Sequence, residues 1–156
     1  MKKSLWLVLL TLLASVGLIV LVVQEMIMPT SHEALTNPRI FAYRDWQSVG
    51  VQVQAGDVLQ IRAQGDWMYT PGEHHGPEGH ARYFAPGFYP LPNVPGGALI
   101  GRIGEDSEPF YVGKRVTWEA MQDGLLYLRI DDDILSDNDG WVTVEINITP
   151  DESLKR

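Results

Sequence analysis

The chain has no cysteine. No disulfide can form, no thiolate can serve as a nucleophile, and no lipid can be attached through sulfur; the absence is equally silent about compartment. Basic residues are scarce as well. The net charge is −8, and setting aside Lys2, Lys3 and Glu25 leaves ten Lys and Arg against nineteen Asp and Glu past residue 30. Phosphate recognition needs clustered Lys and Arg, so nucleic acid is not expected as a partner, whereas a divalent cation suits the excess of acid. Past residue 30 no segment combines a 3.6-residue apolar period with helix caps, which argues against a helical domain. A Ser-His-Asp order cannot be defended, and too many acids are present to assign two that flank a glycosidic bond. The sequence therefore reads as a binding protein and not an enzyme.

One long hydrophobic run is present, at the start. MKKSLWLVLLTLLASVGLIVLVV carries two lysines and is then uncharged over residues 4–23. About 20 apolar residues cross a bilayer as helix, whereas the core of a cleavable signal is roughly 7–15 residues. A cut after Ser15 or Gly17 would leave LIVLVV as an apolar terminus. Residues 1–24 are expected to be an uncleaved transmembrane signal anchor. Its N-terminus would be cytoplasmic and the remainder periplasmic or extracellular. Ala14, Ser15 and Gly17 are small residues that let helices approach closely, as docking to other membrane-complex subunits would require. Residues 25–38, with Pro29 and Pro38, read as a juxtamembrane linker, residues 39–150 as the folded domain, and residues 151–156 as a polar tail.

The domain alternates with period two. Val49, Val51 and Val53 alternate with Gly50, Gln52 and Gln54, and Leu59, Ile61 and Ala63 repeat the pattern. In WVTVEINI, Val142, Val144, Ile146 and Ile148 are expected inward and Trp141, Thr143, Glu145 and Asn147 outward. ALIGRI, FYVG, RVTWEA and LLYLRI are further strands, the last entered through the turn QDG. Six to eight short strands between turns predict an all-β, antiparallel β-sandwich behind the single N-terminal helix. Residues 69–97 form one long irregular stretch rich in Gly and Pro, of the kind that is usually functional or disordered.

DDDILSDNDG, residues 131–140, packs five carboxylates and one carboxamide into nine residues. Such crowding is costly unless a cation or other partners sit among the acids. Calcium takes six to eight oxygens at about 2.3–2.6 Å from carboxylates, carboxamides and carbonyls, which this loop offers. It is not an EF-hand: with Gly140 at the loop's glycine position, Leu135 and Ile146 fall where acids are required. The alternative is a solvated acidic turn, but the run joins two apolar strands and carries Asn138 and Gly140 with the acids.

LRIDDDILSDNDGWVTVEI resembles the calcium loop and last strand of galactose-binding bacterial lectins of the PA-IL (LecA) type. WMYTPGEHHGPEG (67–79) is similar to the family's Trp-x-x-Tyr-x-Pro segment followed by Gly-Pro-x-Gly, and GGALIGRIG (96–104) to another recurrent string. The three blocks stand in the family's order. The resemblance implies a small β-sandwich whose Ca2+ is itself the sugar receptor, two sugar hydroxyls completing the metal shell. Carried over residue by residue, it implies ligands from the carbonyl of Tyr69, the carboxylate of Asp132, a carbonyl at Ile134 or Leu135, and the side chains of Asp137 and Asn138. Asp131 stands where the family has Asn, and Asp137 replaces a carboxamide, which should tighten calcium and weaken its polarisation of a sugar hydroxyl. Tyr69, His80 and Tyr83 are the candidate sugar contacts; HARYFAPGFYP departs here from the family's His and Gln.

Other clusters receive plainer readings. His74, His75 and His80, with Glu73 and Glu78, have a spacing that matches no rigid helix or ribbon, and read as exposed loop histidines in place of a zinc site. Tyr83, Phe84, Phe88 and Tyr89 suit either stacking on a sugar or protein, or covering the end of the sandwich. Gly101 is followed by Arg102 and Ile103, not by Lys-Ser/Thr, so GGALIGRIG is no phosphate loop. Two functional expectations result. The first is a membrane-anchored, calcium-dependent, lectin-like module for a galactose-like saccharide. The alternative is a non-enzymatic accessory or structural subunit of a membrane complex, its sandwich capping the outer face.

Overall fold

The computed structural model describes residues 37–151. The expected anchor and most of the expected linker and tail lie outside the described residues. Among the described residues no helix is long and apolar enough to cross a membrane.

Among the described residues nine strands form: β1 Arg39–Phe41, β2 Gln47–Val53, β3 Val58–Thr70, β4 Glu73–His75, β5 Leu99–Ile103, β6 Phe110–Tyr111, β7 Arg115–Glu119, β8 Gly124–Ile130 and β9 Asp139–Thr149. A 3-10 turn, Leu135–Asp137, lies between β8 and β9. One sheet runs β1-β9-β3, with β7 and β4 sharing the far side of β3; the other runs β2-β8-β5-β6. Every pairing is antiparallel.

The alternation read from the sequence decides which side chains face inward. Leu59, Ile61, Val142 and Val144 from the first sheet meet Leu99, Leu126, Leu128 and Ile130 from the second, all fully buried. Burial of each such side chain contributes about 1.5–3 kcal/mol. Phe110 of β6 and Trp118 of β7 stack nearly parallel at 4.3 Å and tie the two sheets together.

β3 is the longest strand. It pairs with β9 without interruption from Val58↔Thr149 to Met68↔Asp139. Its other side pairs with β7 from Val58 to Arg62 and with β4 from Trp67 onward. Between those partners Gln64, Gly65 and Asp66 have no ladder partner on that side. Gly65 sits there at φ +110°, a conformation that only glycine adopts without strain.

Two expectations are corrected: nine strands form among the described residues in place of six to eight, and the irregular stretch is shorter. The irregular stretch begins later than read, because β3 continues through Tyr69 and β4 follows it. β4 is Glu-His-His and has no apolar alternation to announce it; pairing with β3 imposes the extended state. β1 was likewise unannounced, and its registry comes from β9.

Trp67 of β3 is completely buried, and its indole Nε1–H donates to the carbonyl of Gly97 at 2.9 Å. Trp67→Ala should therefore destabilise the domain by about 3–5 kcal/mol. Trp67→Phe should cost about 1–3 kcal/mol, because the Gly97 carbonyl is left buried without a donor. Urea unfolding of the full chain measures both; a loss below about 1 kcal/mol for the alanine variant would contradict this account of the core.

Candidate functional site

The ladder between β3 and β9 ends at Met68↔Asp139, so Tyr69 and the Asp137–Asn138 turn emerge at the same end of the sheet. β8 delivers Asp131 and Asp132 there from the opposite sheet. Tyr69 also falls out of the β3–β4 register, which shifts between Met68 and Thr70. It thus has no ladder partner on either side.

These elements open a cleft of about 520 Å³. Tyr69, His80, Tyr83, Asp132, Ile134 and Asp137 all line it. Of the residues expected to hold a cation or a sugar, Leu135 and Asn138 are displaced from its wall. Leu135 is half-buried and packs on the core, while Ile134 beside it faces the cleft. Asn138 is buried and donates its amide N–H to Asp132 Oδ2 at 2.8 Å.

The floor of the cleft depends on two glycines. A Cβ on Gly96 would come within 2.5 Å of the Tyr69 hydroxyl oxygen, and one on Gly97, at φ +73°, within 2.5 Å of the Tyr69 ring. The ring therefore lies directly on backbone. Its hydroxyl is 3.0 Å from that of Tyr89, which lines the cleft together with Asp132. Burial pushes the Tyr69 hydroxyl up to about 12 and raises that of Tyr89 further. Both phenols stay neutral and keep their protons to donate.

What makes the acid crowding tolerable is partly Arg129, which the strand reading passed over. It is buried at the end of β8, gives Nη2–H to the carbonyl of Asp132 at 2.6 Å and Nε–H to that of Ile130, and pairs with Asp45. Its sequence signal was a cation two residues before the acid triplet. Asp131 is fully buried and acts as a clamp. Its N–H donates to Ala98, its carbonyl accepts from Gly97, and its Oδ1 accepts from the N–H of Leu91 at 2.9 Å. Tyr83 and Phe84 are exposed, as is Phe88, whereas Tyr89 is half-buried against the core. The aromatic group thus divides into exposed rings and one ring that covers the core.

The residues present fit a calcium ion. Asp132 and Asp137 supply carboxylates, Tyr69 has a backbone outside the ladders, and the buried Asn138 Oδ1 has no hydrogen-bond partner. Asn138 now turns its amide nitrogen to Asp132, so ligation by Oδ1 beside that carboxylate needs a half-turn of the amide. Burial raises the Asp132 carboxyl in spite of the hydrogen bond from Asn138. A cation there would favour the ionised form.

Burial likewise pushes the Asp131 carboxyl up to about 7, against the pull of the Leu91 N–H and of Arg129. The folded state then holds a proton that the unfolded state has released, so stability falls as pH rises from about 4 to about 7 and levels off above. Asp131→Asn keeps an acceptor for Leu91 and removes the charge. In chelator, thermal melts across this range should show a shallower fall for the variant and a midpoint at pH 8 at or above the parent's. A variant with an unchanged slope would refute this role for Asp131.

No protein-family model matches the chain, and no curated protein matches it either. Among solved structures, the EclA N-terminal domain, described as a PllA-like lectin, matches 76% of this chain and 100% of that domain with a TM-score of 0.60 at 22% identity. The likeness is one of fold: residues 37–151 contain a lectin-like antiparallel β-sandwich.

Proposed function

We propose that the domain is a calcium-dependent carbohydrate-recognition module. The observation that carries this reading is the meeting of Tyr69, Asp132 and Asp137 with His80 and Tyr83 in one open cleft. The lectin-like sandwich around it supports the same reading. Ca2+ would be held by the two carboxylates, the Tyr69 carbonyl, Asn138 and a carbonyl of the turn at Ile134 or Leu135. A vicinal diol supplies two further oxygens at the spacing of one coordination edge, which makes a galactose-like saccharide the first ligand to try. His80 and Tyr83 would contact its ring. The cleft acts by binding, and no catalytic step is assigned to it. The apolar run at residues 4–23 supports display of the module on the outer face of a membrane.

The test is a thermal melt of the full chain in mild detergent, first in chelator, then in Ca2+, then in Ca2+ with galactose and a saccharide panel. A ligand at 100 times its Kd adds about 2.7 kcal/mol of stability. Ca2+ should raise the midpoint and the sugar should raise it again, and both responses should be lost in Asp132→Asn. A calcium response without any sugar response would make the ion structural. The exposed Phe84 and Phe88 would then favour the accessory-subunit reading, in which this face meets another protein. No calcium response would refute the calcium reading and leave Asp131 and Asp132 held by Arg129, Asn138 and backbone groups alone.

A further inference from the structure

A second set of ligating atoms converges on the same cleft, and it contains none of the oxygens assigned to calcium. Strand alternation sends Glu73 and His75 of β4 to one face and His74 to the other. His75 is accordingly half-buried while His74 is exposed. A turn then returns the chain, closed by the N–H of Gly79 donating to the carbonyl of Gly76 at 2.9 Å. A Cβ on Gly79 would meet backbone atoms at 2.8 Å, so this turn needs glycine. It lays the His80 ring against His75, centroids 4.6 Å apart. The spacing that looked wrong for a rigid site is thus made right by a strand and one turn.

Glu73 Oε2 lies 3.4 Å from His75 Nε2 and 3.7 Å from His80 Nε2. All three ligand atoms fall within 4.8 Å of one another. Ligands about 2.1 Å from a tetrahedral zinc ion stand roughly 3.4 Å apart, so two edges of the triangle are near that length. The third edge, within 4.8 Å, is the one that must shorten on binding. His75 Nε2 is buried and has no hydrogen-bond partner, while Tyr69 packs edge-on against its ring at 6.0 Å. We propose that Glu73, His75 and His80 bind a divalent ion of the zinc class, through a carboxylate oxygen and two imidazole nitrogens.

One local contact must give way. The N–H of Arg82 donates to His80 Nδ1 at 3.1 Å, which leaves the ring's proton on Nε2. Ligation through Nε2 transfers that proton to Nδ1, and the Arg82 N–H, being exposed, turns to water. Two histidines and one carboxylate leave the fourth position of zinc open. Glu73 and His80 line the cleft, so that position faces whatever occupies it and takes a water, hydroxyl or carboxylate oxygen. Calcium prefers oxygen and imidazole suits zinc; the two ions would not exchange places.

The experiment uses the full chain in detergent, with Zn2+ alone followed by calorimetry and Co2+ alone followed by its visible spectrum. One equivalent should bind, with the intense d–d band of tetrahedral Co2+. Excess Ca2+ should leave the band in place. His80→Ala and Glu73→Gln, both at partly exposed positions, should each weaken binding by at least about tenfold, and His74→Ala should leave it unchanged. Far-ultraviolet circular dichroism confirms that each variant is folded. Absence of the band, its loss on adding Ca2+, its survival in His80→Ala, or its loss in His74→Ala would each overturn the proposal.

Discussion

The pairing of β3 with β9 continues unbroken until Met68 meets Asp139, and what lies at the cleft follows from where it stops. A strand pair releases its chains side by side at its end, so the carbonyl-bearing Tyr69 and the acid-bearing Asp137–Asn138 turn leave together. A one-residue slip would bury Thr143 and Glu145 in place of Val142 and Val144, because successive side chains face opposite sides of the sheet. The apolar core therefore holds the register, and the register holds the cleft. Hydrophobic burial acts here as a positioning device for polar groups.

Around that fixed end the polar groups are arranged in depth. Arg129 neutralises from behind, through backbone carbonyls as much as through charge. Asp131 spends its hydrogen bonds on the chain at Leu91, Gly97 and Ala98. Asp132, Asp133 and Asp137 of that group line the opening. The acid triplet is thus not three equivalent charges: one serves as scaffold, one faces the cleft, and Asp133 at its rim is exposed.

The sandwich was legible because its strands carry strict alternation, as in Val142, Val144 and Ile146, and all three are buried. Acid density pointed to the loop at residues 131–140, and the lectin resemblance alone singled out Asp132 and Asp137 within it. The resemblance to PA-IL-type lectins added Tyr69, which lines the same cleft. β4 was not legible, since Glu73, His74 and His75 have no apolar partner to reveal a period, and their pairing with β3 is a long-range fact. The same blindness hid the approach of His75 to His80. Arg129 was passed over because a charged residue in a strand ordinarily reads as solvent-facing; its burial depends on Asp45 and on carbonyls that only the tertiary fold brings near.

The short gap beside Gln64, Gly65 and Asp66, where β3 has lost β7 and not yet gained β4, has a consequence for self-association. An unpaired strand edge invites another chain to add to the sheet, and long flat edges are the hazardous ones. This one spans three residues, is bent by a glycine at positive φ, and carries a carboxylate. A neighbouring copy finds too little straight backbone there to dock a strand, so β3 can change partners midway without offering its sheet as a template.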